Sequence, residues 1–100
     1  MNMQQMMAQA QKMQRELRKA QAELALKQFK VSKGGAVTVT VLGSKEVKKI
    51  DIDKDAFEPD SKDMIEEMIA LAINDALAQI DKESEEINER ITGQRGGFGF

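Results

Sequence analysis

Val37-Thr-Val-Thr-Val-Leu-Gly-Ser-Lys-Glu-Val-Lys-Lys-Ile-Asp-Ile52 sets the architecture of this chain. Val37, Val39 and Val41 alternate with Thr38 and Thr40, and a period of two sends the two sets to opposite faces of a strand. Gly43-Ser44 offers a two-residue hairpin turn, with Gly43 supplying the positive φ that such a turn needs. The return strand carries Val47, Ile50 and Ile52. Its apolar positions slip from odd to even, which predicts a bulge near Lys48-Lys49. Upstream, Phe29 and Val31 alternate with Lys30 and Ser32 ahead of Gly34-Gly35. Strands are therefore expected over about 28–33, 36–42 and 46–52, as a three-stranded antiparallel meander.

On either side the period changes. From position 3 to 27 there is no Gly, Pro, Asn or Ser, and Gln, Ala, Met, Lys and Arg dominate. Met3, Met6, Ala10, Met13, Leu17, Ala20 and Leu24 are spaced alternately by three and four, a heptad seam. A helix over about 2–27 would be roughly 40 Å long, too long for a compact ball of this size. After Pro59, Ser61 is placed to cap a second helix running to about residue 92. Met64, Ile65, Met68, Ile69, Leu71 and Ala72 spread over a wide arc suited to covering the sheet. Ile73, Leu77, Ile80, Ser84, Ile87 and Ile91 narrow to a seam suited to another helix. The fold class is α+β: one domain over 1–92, in the order helix, three-stranded antiparallel sheet, helix, with the long terminal helices forming arms. Residues 93–100 hold four Gly and two Phe and are expected to be a flexible tail.

One hundred residues with no Cys and no His exclude thiol chemistry, disulfides, imidazole catalysis and ordinary zinc sites. Asp51, Asp53 and Asp55 have the spacing that opens a calcium loop, but Ala56 and Lys62 stand where its Gly and Glu belong. Gly34-Gly35 lacks the Lys-Ser/Thr and the helix of a phosphate loop. Catalysis, cofactors, metals and a small-molecule substrate are not expected. No run is apolar enough to span a membrane, and a cytoplasmic protein is expected. A sheet this small is marginal alone, so a second copy should complete it, sheet-to-sheet or edge-to-edge. Val37, Val39, Val41 and Val47 are the candidate contact residues.

The net charge of −2 conceals two halves of opposite sign. Ten Lys/Arg against three Asp/Glu give +7 over residues 1–50, and five against fourteen give −9 over 51–100. On the first helix Lys12, Arg15, Arg18 and Lys19 lie off the seam, and Lys27, Lys30 and Lys33 carry the charge into the first strand. Lys45, Lys48 and Lys49 add to it at the hairpin. A cationic stripe on a rod suits a polyanion with repeating charge. Equally, it could be a solvated face neutralised by the acidic second helix.

The stretch from Gly34 to Asp53 resembles the sheet of the YbaB/EbfC family of bacterial nucleoid-associated proteins. The run from Met64 to Leu77, with Asn74-Asp75-Ala76, is similar to that family's C-terminal helix. The resemblance implies a tweezers-like homodimer that binds duplex DNA with weak sequence preference at the nucleoid, through helical arms. It points to Lys12, Arg15, Arg18 and Lys19 for the DNA contacts, with Lys27, Lys30 and Lys33 beside them. Two other classes fit parts of the pattern. One is a prefoldin-like coiled-coil holdase using Met1, Met3, Met6 and Met7, with Ile87 and Ile91, as apolar tips. The other is a protein-interaction scaffold using Asp81, Glu83, Glu85, Glu86 and Glu89.

Overall fold

The computed structural model describes residues 2–93. Helix α1 (Met3–Leu26) leads into strands β1 (Gln28–Lys33), β2 (Val37–Leu42) and β3 (Val47–Ile52). Two 3-10 turns (Lys54–Ala56 and Pro59–Ser61) then lead into helix α2 (Lys62–Thr92). The strands form an antiparallel meander in the order β1-β2-β3. The α+β order of elements thus agrees with the pattern of periods. The molecule measures 69 × 25 × 15 Å. Its radius of gyration of 19.0 Å far exceeds the roughly 13 Å of a compact chain of this length.

That elongation comes from the two helices. The first half of α2 lies mainly over β1 and β2, where fully buried Ala72 and Ala76 let its backbone approach the sheet. Its second half leaves the sheet and pairs antiparallel with α1. The Gln21 side chain meets Ser84 and Asn88 across this seam, while Leu24, Ile80 and Ile87 are buried at or near its base. Asn2 starts α1 with a reciprocal cap: its Oδ1 accepts from the Gln5 N–H at 2.8 Å, and its own N–H donates to Gln5 Oε1. Ser61 precedes α2 but makes no side-chain cap. Its φ of −96° and ψ of 0° belong to the preceding 3-10 turn, not to the extended backbone that aims a hydroxyl at the first helical N–H groups.

Gly43 departs from its expected role. The left-handed residue of the β2–β3 loop is Lys45, at φ 76°. The Leu42 N–H donates to Glu46 O, and the Lys45 N–H to Leu42 O, giving a loop of three residues instead of two. Gly43 is required for another reason. Its N–H donates to Lys27 O and the Ser44 N–H to Ala25 O, which press the hairpin onto the end of α1. A Cβ at Gly43 would lie 2.6 Å from the Leu24 carbonyl carbon. The bulge falls where the alternation slipped: Thr40 pairs with Lys49 and Val41 with Val47, leaving Lys48 as the extra residue.

Three of the four valines put forward for a dimer contact are used within the chain. Val37, Val39 and Val41 are 0–1% exposed in the single copy, on the face covered by α2. They form one core with Phe29, Val31, Ile65 and Ile80. The uncovered face carries Lys30, Ser32, Thr38, Lys49 and Asp51, polar residues that do not call for a second sheet. Only Val47 of the four remains on the surface, at 41% exposed.

Candidate nucleic-acid interface

Pairing α1 with α2 fixes which way the α1 cations face. Met13, Leu17 and Ala20 are half-buried and Leu24 is buried, all on the side toward α2. Arg15 and Arg18 point away from α2, while Lys12 and Lys19 lie on a flank of α1 that borders the groove with Ile91, and all four are exposed. Lys12, Arg15 and Lys19 follow at intervals of three and four, so their side chains rise in one row, with Arg18 beside it. From Lys12 to Lys19 the axial rise is about 10 Å. Glu16 and Glu23, the two acidic residues of α1, line that groove with Lys19 and with Arg90 of α2.

The acidic helix spends its carboxylates elsewhere. Glu83 Oε1 accepts from Lys27 Nζ at 2.6 Å, Asp75 Oδ2 from Lys33 Nζ at 3.1 Å, and Asp81 Oδ1 takes Lys45 Nζ at 2.9 Å. Lys27 also stands 5.3 Å from the centre of the Phe29 ring. These pairs join α2 to the sheet and to the end of α1. Being substantially exposed, each is worth at most about 1 kcal/mol. Among the described residues, none of Lys12, Arg15, Arg18, Lys19 and Lys30 has a carboxylate partner.

The seven cations named from the sequence therefore separate. Four form the α1 face, Lys27 and Lys33 are engaged by α2, and Lys30 stands on the polar face of the sheet. There Lys30 pairs in register with Thr40, and Thr40 with Lys49, so two lysines flank a threonine only 4% exposed. Lys49 was visible as a cation in the sequence. Its place beside Lys30 depends on strand register across the bulge.

No group of His, Cys, Asp or Glu able to hold a metal occurs among the described residues. No helix of the structure is long and apolar enough to cross a membrane. The Met-tipped arm of a holdase is partly at odds with the packing, because Ile87 is buried and Ile91 half-buried in the α1–α2 seam. Met3 and Met6, assigned to the seam by spacing, are 76% and 58% exposed, because α1 extends beyond the end of α2. Met1, and the tail apart from Gly93, lie outside the described residues.

A small sheet bearing a two-helix arm with exposed cations along it is an arrangement suited to a polyanion such as a nucleic acid. The model of the YbaB/EbfC DNA-binding family matches residues 1–95, and the chain belongs to that family. It is 40% identical over 98 residues to a nucleoid-associated protein of Ruminiclostridium cellulolyticum, covering 97% of this chain and 85% of the relative. A nucleoid-associated protein of Agathobacter rectalis is 43% identical over 97 residues, covering 96% and 86%. One from Mycoplasmopsis pulmonis is 40% identical over 91 residues, covering 91% and 90%.

Proposed function

We propose that this chain binds duplex DNA at the bacterial nucleoid as a homodimer, with the outer face of α1 laid against the phosphate backbone. The observation that carries this is the row of Lys12, Arg15 and Lys19 with Arg18, exposed and without carboxylate partners among the described residues, while three of α2's acids engage other lysines. The face holds no Asn and no pair of arginines poised as forks toward one base step, so phosphate contacts set the affinity and sequence preference is weak. Gln11 and Gln14 are the amides nearest the row in sequence. If one arm neutralises about four phosphates, log K falls against log salt with a slope of about −3.6, and about −7 when two arms engage. A gel-shift titration from low to high salt measures it. Binding that ignores salt excludes this mode.

For the dimer, the favoured seam is the free edge of β3. Because α2 lies mainly over β1 and β2, Val47 and Ile50 of β3 stay 41% and 44% exposed. An unpaired apolar edge strand is a template for another strand. Antiparallel pairing of two β3 strands about a two-fold at Ile50 sets Lys49 opposite Asp51 of the second copy, and Asp51 opposite its Lys49. Ile50→Glu would place two carboxylates face to face on that axis. Sedimentation at micromolar concentration should then give a monomer with unchanged helical circular dichroism. A dimer that survives Ile50→Glu rules this seam out.

A further inference from the structure

The end of β3 opens into an apolar groove. Ile52 of the strand, Phe57 and Pro59 of the turns that follow, and Ile65 and Ile69 of α2 line it. Lys62 and Glu66, an ion pair at 3.0 Å, stand with Glu58 as its polar members. The two phenylalanines of the described residues differ sharply: Phe29 is 8% exposed in the core, and Phe57 is 72% exposed at the groove. Val47 and Ile50 carry uncovered apolar surface along the rest of β3. Val47, Ile50 and Ile52 pair with Val41, Val39 and Val37, so all three lie on the face of the sheet that α2 occupies. Groove and strand residues therefore share one side of the sheet.

Charge along this edge falls into two opposed blocks. Residues 45–49 hold three lysines and one glutamate, a net +2, and residues 51–60 hold five carboxylates and one lysine, a net −4. Lys45 is engaged by Asp81, but Lys48 and Lys49 meet no carboxylate among the described residues, and the five carboxylates meet no cation. The segment is thus complementary to its own reverse about Ile50. An antiparallel two-fold there lays the basic block of each copy along the acidic block of the other, and the attraction occurs twice. A parallel arrangement would set like charges together. The same reversal brings the Val47 end of one β3 to the Ile52 end of the other, on the side where the groove lies.

A ladder of six residues is only about 20 Å long, whereas a stable interface buries about 1,200–2,000 Å² in total. Side chains flanking the ladder must supply much of that area. We infer that the groove is the docking site for Val47 of a second copy, which enters it beside Ile52 and Phe57. The inference rests on the β3-edge dimer proposed above and names what that dimer buries besides the two strands. By symmetry each copy gives one valine and receives one. The exposed ring of Phe57 then closes over an apolar partner in the dimer.

In the full-length chain, Phe57→Ser should weaken the dimer at least about tenfold in sedimentation equilibrium. Its circular dichroism should be unchanged, because the ring lies outside the core. Val47→Ser should weaken the dimer severalfold, and the two together by clearly less than the product of the single effects. Within one chain the Val47 and Ile52 ends of β3 are roughly 15 Å apart, so such coupling arises only between copies. Ile50→Glu separates this contact from the seam itself. A dimer that survives Ile50→Glu removes the β3 seam and the groove contact with it. A monomer in Ile50→Glu, with an unchanged dimer constant in Phe57→Ser or independent effects of the two serine variants, overturns the groove contact alone. Anilinonaphthalene sulfonate, a dye for exposed apolar surface, should fluoresce severalfold more with the Ile50→Glu monomer than with the dimer. Equal fluorescence would mean that the groove stays open in the dimer for some other partner, which also overturns the contact.

Discussion

Arg15→Glu, Arg18→Glu and Lys19→Glu combined reduce duplex affinity at least about 100-fold near 0.1 M salt, and the remaining binding loses most of its salt dependence. The expectation follows from where these residues stand. All three are exposed, none has a carboxylate partner among the described residues, and none belongs to the core. Reversal thus removes attraction and adds repulsion at three of the four cations of the face, with no packing lost. Each phosphate contact removed should take about one unit from the salt slope. The same substitutions in Lys27 and Lys33 should do much less to binding, because those ammonium groups already face Glu83 and Asp75. Their effect should appear as a modest loss of thermal stability, about 1 kcal/mol or less per pair. Filter binding and sedimentation on both sets of variants decide the matter. If the α1 triple variant binds as before while the Lys27 and Lys33 variants fail, the arm is not the contact surface.

Gly43→Ala is expected to be the most damaging single methyl group in the chain. Its Cβ would meet the Leu24 carbonyl, main chain that cannot turn aside as a side chain would. Relief requires the hairpin to lift from the end of α1, breaking the Gly43–Lys27 and Ser44–Ala25 backbone bonds. Steric strain and two lost hydrogen bonds together amount to about 3–5 kcal/mol, a large part of the 5–15 kcal/mol that holds a typical domain folded. For a chain of this length that is a fall in Tm of at least about 12 °C. Gly35→Ala is the comparison. Gly35 has left-handed φ at +66°, but a methyl group there would find nothing within 4 Å, so its replacement costs only the conformational term of about 1–2 kcal/mol. Calorimetry at equal protein concentration separates the two. Similar small losses for both would mean that the hairpin is not seated on α1.

Gly43 also marks how far local reading goes. The glycine was legible as a turn residue, and a turn does occur there, but the positive φ belongs to Lys45. What demands a glycine is the approach of Leu24, distant in sequence, and no pattern within the hairpin encodes that. The bulge was legible because a slip in alternation is itself local: one residue too many between Val47 and Ile50 must be absorbed somewhere. The valines show the opposite case. Their alternation identified an apolar face, yet whether α2 or a second copy covers it depends on the path of a helix that starts ten residues after the sheet ends.

The same division runs through the binding surface. By itself the sequence determined the order of elements, the lengths of the two helices, the seam of α1 and the off-seam placement of Lys12, Arg15, Arg18 and Lys19. All of these are periods of two, three or four residues, set by backbone geometry within one element. Only the tertiary structure decided which cations are free. Lys27, Lys33 and Lys45 meet carboxylates 56, 42 and 36 positions away, and Lys30 joins Lys49 through strand register. Charge is written at each residue, but neutralisation belongs to pairs that only the folded chain brings within a few ångströms, where Coulomb attraction becomes appreciable.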